Sequence, residues 1–183
     1  MLDDGVMRSL DARDTRRAVA RLTAMVETSR EEYGADVALV TCSAVTCSGM
    51  AELRTASRIP IVKIDEPMTR AAARIGGRIG VVATFPATVE STRELLESSA
   101  PEPVTIRTVL ADEALRALLR GDQAGHDRLF FDAVARLAAE PLDALVLAQV
   151  SMARLHAEVQ ARVACPVFSS LASSLEAVRS ATR

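Results

Sequence analysis

Two similar segments recur in the sequence, and this repeat constrains the fold of the whole chain. In the first segment Asp36 precedes an apolar run that ends at Cys42, and in the second Asp143 precedes an apolar run that ends at Gln149. The two segments lie about 107 positions apart, and each is followed by another apolar run that begins at a proline. The repeat predicts an internal duplication, with two α/β halves related by a pseudo-twofold axis.

The repeated apolar runs have the properties of strands. The run before Cys42 is too short for a buried helix and follows a helix stop at Gly34, which predicts a strand buried on both faces. Strands and helices alternate along the chain, which predicts parallel sheets with right-handed crossovers. We therefore expect an α/β fold of two pseudo-symmetric domains, with parallel sheets flanked by helices and a site in the interdomain cleft.

The glycine pair Gly76-Gly77 is the best candidate for the linker between these domains. The predicted first domain contains residues 1–77 together with about 171–183, and the second contains residues 78–170. The second half offers four strands and the first half only two. By symmetry a strand, a helix and a strand would precede Met1, so we expect the first sheet to be incomplete. Its exposed edge would need a cover, which a partner chain, such as a second copy in a homo-oligomer, could provide.

Composition argues against several classes of function. The 22 basic and 24 acidic residues nearly balance, and aromatic residues make up 3% of the chain, which is unlike a nucleic-acid-binding domain. No apolar run approaches the roughly 20 residues that span a bilayer, and no charged segment followed by an apolar one predicts a secretory signal. The three cysteines lack zinc-like spacing, which argues against a metal and favours free thiols in a reducing cytoplasm.

Cys42 is the candidate reactive residue. Ligands of parallel α/β sheets bind just beyond the carboxyl ends of the strands, where Cys42 stands. A thiol reacts as the thiolate, and a helix N-terminus close to it would lower its pKa. A buried, inert core thiol is the alternative. We expect Cys47 and Cys165 to serve packing, and Asp65-Glu66 to cap the next helix rather than to act as paired acid and base.

These residues carry a resemblance to a known family. Cys42-Ser43-Ala44 after a buried strand, the block Ile79–Ser91 and the two similar halves resemble the aspartate/glutamate/hydantoin racemase superfamily. The resemblance covers nearly the whole chain from Leu2 onward. It implies two α/β domains that face each other across a cleft, each with a cysteine on one side of the substrate's α-carbon. It also implies that no cofactor or metal takes part.

The resemblance assigns roles to several residues of this chain. Cys42 would be the catalytic cysteine, Ser43 and Ala44 would supply backbone donors, and Thr84 and Thr88 would bind the substrate carboxylate. Gln149 and Ser151 complete the expected substrate-binding set. The implied ligand is a small carboxylate or amino acid.

Gln149 is the main departure from the family pattern, because it stands where the second cysteine would be. An amide has no useful basicity, so a symmetric two-base racemisation cannot run as it does in the racemases. Cys42 could serve as the single acid/base of a one-sided reaction, such as isomerisation, decarboxylation followed by protonation, or lysis. It could instead act as a nucleophile. We expect a cofactor-independent racemase- or isomerase-like enzyme; the alternative is a degenerate, non-catalytic small-acid-binding protein.

Overall fold

The structure is a computed structural model that describes residues 1–182, and it contains two parallel β-sheets. The first sheet pairs two strands, and the second has four strands in the order β4-β3-β5-β6. The strands are β1 (Ala38–Val40), β2 (Ile61–Lys63), β3 (Arg78–Ala83), β4 (Thr105–Leu110), β5 (Ala144–Leu147) and β6 (Val167–Ser169). The predicted α/β class is confirmed, as are the two strands of the first sheet and the four of the second.

At least one helix separates each pair of consecutive strands within residues 1–182, as a parallel α/β fold requires. The α-helices of the described chain are α1 (Asp4–Asp11), α2 (Thr15–Tyr33), α3 (Cys47–Ala56), α4 (Glu66–Ile75), α5 (Pro86–Ser99), α6 (Asp112–Leu119), α7 (Gln123–Ala138), α8 (His156–Gln160) and α9 (Ser170–Ala181). A 3₁₀ helix at Val150–Leu155 precedes α8, where the sequence predicts one continuous helix over residues 152–162. None of the helices within residues 1–182 is both long and apolar enough to cross a membrane.

The pairing registers reproduce the internal repeat. Ala38 of β1 stands opposite Ile61 of β2, and Leu145 of β5 stands opposite Val167 of β6. The strand β5 is also paired with β3 on its other edge. Within residues 1–182 no strand occupies the matching edge of β1.

This difference explains why the two repeated strands are buried to different extents. All four residues of β5 are buried, whereas in β1 only Val40 is buried and Ala38 and Leu39 are half-buried. The prediction that this strand is buried on both faces is therefore wrong for Ala38 and Leu39, because β1 is an edge strand. A groove of about 480 Å³ runs along β1 between α1 and α2 and reaches Cys42.

The apolar core is divided among three clusters. One joins α1, α2 and α3 to the first sheet, and the other two cover the two faces of the second sheet. Met68 and Ala72 of α4 belong to a cluster of the second sheet, although α4 lies in the range of the predicted first domain. The division into residues 1–77 with 171–183 and residues 78–170 stays a prediction.

The Gly76-Gly77 pair has a conformation that favours glycine. Gly77 has a φ of +69°, and an added Cβ would overlap the Asp143 carboxylate, which accepts a 2.7 Å hydrogen bond from the backbone N–H of Arg78. We expect Gly77→Ala to lower the free energy of unfolding by about 1–2 kcal/mol for the left-handed backbone and by about 1 kcal/mol more for the displaced hydrogen bond. Urea unfolding measures the sum of the two effects.

Gly34→Ala is the matched control for this substitution. Gly34 has a similar φ of +66°, but no atom lies within 4 Å of the position that a Cβ would take there. Only the backbone strain is therefore expected at Gly34. Equal losses of stability in the two variants would contradict the role of the Asp143 carboxylate.

Candidate active site

Cys42 lies two residues beyond the end of β1, at the predicted edge of the sheet. Its side chain is half-buried, and its thiol donates a hydrogen bond to Met7 Sδ at 3.7 Å. The helix α3 begins only at Cys47, because Thr46 acts as its N-cap and accepts a hydrogen bond from the Gly49 N–H. The helix N-terminus that was expected close to Cys42 therefore lies five residues beyond it. A loop of residues 41–46 surrounds the thiol instead.

Two backbone N–H groups of this loop stabilise the thiolate form of Cys42. They belong to Ala44 and Val45, and the positive charge of Lys63 acts in the same direction. Burial outweighs these effects and raises the pKa of the Cys42 thiol above its ordinary value. The carbonyl of Ser43 accepts a hydrogen bond from Lys63. The predicted roles of Ser43 and Ala44 as donors to a substrate stay predictions. The expectation of a lowered thiol pKa is wrong, because the side chain is desolvated.

A buried ion pair lies behind the loop, and the sequence pattern did not predict it. Lys63 and Asp65 are both 0% exposed, and Lys63 Nζ lies 2.7 Å from each carboxylate oxygen of Asp65. The same ammonium donates to the Ser43 carbonyl at 3.1 Å and to Ser91 Oγ at 3.2 Å. The hydroxyl of Ser91 donates in turn to the Val45 carbonyl at 2.9 Å.

Asp65 therefore has a different role from the predicted one. It occupies the N-cap position of α4 but makes no side-chain capping bond, since its carboxylate is engaged by Lys63. Burial raises the pKa of Asp65, and the Lys63 ammonium opposes that rise. A signal was present in the sequence: Lys63 and Asp65 are two positions apart at a strand end and so share one face.

The Gln149 amide is hydrogen-bonded to the backbone N–H and the hydroxyl of Thr84, the two groups that were expected to bind a carboxylate. Thr84 follows β3 directly and Gln149 lies two residues beyond β5, so the parallel pairing brings them together. Gln149 Oε1 accepts from the Thr84 backbone N–H at 2.7 Å, and Gln149 Nε2 donates to Thr84 Oγ1 at 2.9 Å. A carboxylate at this place would accept from both groups of Thr84, whereas the amide accepts from the N–H and donates to the hydroxyl.

Helix α5 connects the two groups of candidate residues. Thr88 and Ser91 are one turn apart on this helix and are both buried. Ser91 contacts the Cys42 loop through the Val45 carbonyl, and Glu94, one turn further on, accepts from the Cys47 N–H at 3.0 Å. The N-cap of α5 is Phe85, without a side-chain capping bond, so neither Thr84 nor Thr88 caps this helix.

The remaining candidate, Ser151, lies in the 3₁₀ helix and is exposed. Within residues 1–182 no group of three or more His, Cys, Asp or Glu side chains is arranged to hold a metal ion. The candidate residues therefore form two groups. One is Thr84 with the Gln149 amide that covers it, and the other is a desolvated thiol with two N–H groups and a buried ammonium behind its loop. The second group can hold or deliver a proton at sulfur.

We expect Gln149→Ala to lower the free energy of unfolding by about 1–3 kcal/mol. The substitution leaves the backbone N–H of Thr84 without a hydrogen-bond partner, and Thr84 is only 2% exposed. Urea unfolding followed by circular dichroism measures the change. Gln149→Glu is the control, since its carboxylate can accept from both the N–H and the hydroxyl of Thr84. Unchanged stability of Gln149→Ala would contradict the assigned contact.

Comparison with known proteins adds a family and a fold. Residues 3–178 match the family model for Asp/Glu/Hydantoin racemase. The structure is similar to allantoin racemase from Klebsiella pneumoniae, with a TM-score of 0.70, 21% identity and coverage of 91% of this chain and 67% of that one. It is also similar to glutamate racemase from Bacillus anthracis, with a TM-score of 0.67, 19% identity and coverage of 91% and 66%.

A third similar structure is glutamate racemase from Thermus thermophilus in complex with β-chloro-D-alanine, with a TM-score of 0.67, 18% identity and coverage of 89% and 62%. This chain thus spans about two thirds of the length of these structures or slightly less. No curated protein matches the chain. At these identities the structural likeness shows the shared fold.

Proposed function

We propose, since this chain belongs to the Asp/Glu/hydantoin racemase family, that it is a cofactor-independent racemase- or isomerase-type enzyme for a small carboxylate or amino acid. Cys42 is its single acid/base in this proposal. One observation carries it: the thiol follows a β-strand and lies in a loop that the buried Lys63 ammonium holds through the Ser43 carbonyl, and the N–H groups of Ala44 and Val45 favour its thiolate form. This arrangement supports a change of protonation at sulfur.

The raised pKa of Cys42 favours one direction of proton transfer. Burial keeps the resting thiol protonated at neutral pH, so Cys42 begins the cycle as a proton donor. In decarboxylation followed by protonation, the bond to the leaving carboxylate breaks and its electron pair stays on the α-carbon. The Cys42 proton then forms the new C–H bond, and the thiolate takes a proton from water. An isomerisation that begins with proton abstraction requires the thiolate first, and nucleophilic attack by Cys42 has the same requirement.

The substrate carboxylate binds, in this proposal, between the two groups of candidate residues. Ala44 and Ser43 border it on the side of the first sheet, and Thr88 borders it on α5. Thr84 takes part once the ligand carboxylate replaces the Gln149 amide. The same backbone N–H can donate to either group, and the hydroxyl, which accepts from Gln149 Nε2, can rotate to donate to a carboxylate. Gln149 would then be free to donate a hydrogen bond to the ligand, as would Ser151.

A non-catalytic small-acid-binding protein is the second candidate. Gln149 favours it, because this residue supplies no second base and its amide holds Thr84. The two candidates share a ligand class and differ in turnover.

Nuclear magnetic resonance in D₂O separates the two candidates. The protein is incubated with amino acids, small dicarboxylates and substituted malonates in the presence of a chelator, and the α-proton signal and the loss of CO₂ are followed. The enzyme is expected to incorporate deuterium at the α-carbon of at least one compound. Binding without exchange would support the second candidate, and the absence of both exchange and binding would contradict both candidates.

We also propose a reducing location such as the cytoplasm for this protein. The support is that Cys42, Cys47 and Cys165 are all unpaired, which is usual where thiols are kept reduced.

A further inference from the structure

We propose that Lys63 is a positioning residue that holds the loop of Cys42 in the conformation in which its N–H groups reach the thiol. This inference rests on the proposed function of Cys42. It concerns a side chain that contacts the loop from behind, through the Ser43 carbonyl and through Ser91. Lys63 itself is 0% exposed and has no direct access to a ligand in this conformation.

The geometry of a peptide group explains how Lys63 acts. In a planar trans peptide, the carbonyl and the N–H of one peptide unit point in opposite directions. The carbonyl of Ser43 and the N–H of Ala44 belong to the same unit. The Lys63 ammonium holds this carbonyl at 3.1 Å on the buried side, so the N–H of Ala44 is directed to the other side, where it acts on Cys42.

A second contact fixes the other end of the loop. Ser91 accepts from Lys63 at 3.2 Å and donates to the Val45 carbonyl at 2.9 Å. The peptide unit that carries the Val45 N–H thus lies between two carbonyls that are both held, at Ser43 and Val45. Lys63 has three N–H donors. One donates to the Ser43 carbonyl of the loop, one to Ser91, and the third to the carboxylate of Asp65.

The charges around Lys63 explain why an ammonium can be buried here. Asp65 faces it from the end of β2 and neutralises it. On the packed helices, burial and Glu94 of α5 raise the pKa of the Cys47 thiol of α3, and the charge of Lys63 lowers it. At Cys42 the charge of Lys63 lowers the pKa and the charge of Asp65 raises it. Lys63 therefore contributes both charge and loop geometry to the reactive thiol.

The test is the pH profile of Cys42 alkylation by iodoacetamide, read by mass spectrometry in the whole chain. Lys63→Met/Asp65→Leu removes both charges without leaving either one buried alone. We expect the apparent pKa of Cys42 to rise in this variant, and its alkylation rate at pH 7 to fall about tenfold, which corresponds to one pKa unit. An unchanged or lowered apparent pKa would overturn the proposal. The alkylation rate of Cys165 in the same sample reports any general loosening of the fold.

Ser91→Ala tests the same inference with the ion pair intact. It removes only the connection between Lys63 and the Val45 carbonyl, and a smaller rise in the apparent pKa of Cys42 is expected. A profile identical to that of the unmodified protein would count against the role of the loop. Alkylation needs no substrate, so an absence of turnover would refute the proposed function alone, and unchanged pH profiles would refute the role of Lys63 alone.

Discussion

Replacement of Cys42 by serine is expected to lower the rate of deuterium incorporation at the α-carbon by about 10²- to 10⁴-fold, which is the usual contribution of a general acid or base. The loss should be this large because Gln149 supplies no second base at the position equivalent to Cys42. Serine preserves the size of the side chain but has no comparable acidity. Deuterium incorporation into the substrate, followed by nuclear magnetic resonance in D₂O, measures the effect.

Cys47→Ser is the matched control for this prediction. Cys47 lies five residues further along the chain, at the first position of α3, and its backbone N–H is bonded to Glu94. We expect its serine variant to retain most of the exchange rate. Retained exchange in Cys42→Ser, or loss of exchange only in Cys47→Ser, would contradict the assignment of the acid/base.

Lys63→Met as a single substitution is expected to lower the free energy of unfolding by about 3–5 kcal/mol, the usual cost of breaking a buried ion pair. The reason is that the Asp65 carboxylate, which is 0% exposed, would lose its cation and remain in an apolar environment. Urea unfolding followed by circular dichroism measures this change.

Two further variants serve as controls for the loss of stability in Lys63→Met. The double variant Lys63→Met/Asp65→Leu should recover most of the lost stability, because it leaves no unpaired charge. Arg54→Met breaks a more exposed ion pair, with Glu66, and should cost less than about 1 kcal/mol. A loss in Lys63→Met as small as that in Arg54→Met would contradict the importance of the buried pair.

The repeat in the sequence predicted the architecture well, because similar apolar runs in similar surroundings form equivalent strands. Two apolar runs at equivalent positions became β1 and β5, and they pair with β2 and β6 in equivalent registers. The same reasoning predicted sheets of two and four strands. Burial of β1 was predicted wrongly, because apolar composition does not reveal whether both edges of a strand are paired.

The site was predicted only in part, for two physical reasons. The position of Cys42 just beyond a strand follows from the apolar run, but the first turn of α3 is fixed by the cap at Thr46, which leaves a loop between the thiol and the helix. The pKa of Cys42 depends on burial in three dimensions, which local sequence does not report.

Contacts between distant residues explain what else was missed. The sequence did not predict that the Gln149 amide binds Thr84 across two neighbouring strands; its contact with a ligand stays a prediction. Lys63 stands in an otherwise apolar strand, and its link to Ser91 joins residues 28 positions apart. Neither contact follows from a local pattern, because each depends on how the strands and α5 pack.

The most direct test of Cys42 as the acid/base is the pH dependence of its alkylation in the unmodified protein, with and without small carboxylates and amino acids. We expect slow alkylation at neutral pH, an apparent pKa above that of an ordinary thiol because of burial, and protection by at least one of the acids. Alkylation that no acid in the panel slows would contradict the central claim that Cys42 is the acid/base of a carboxylate site.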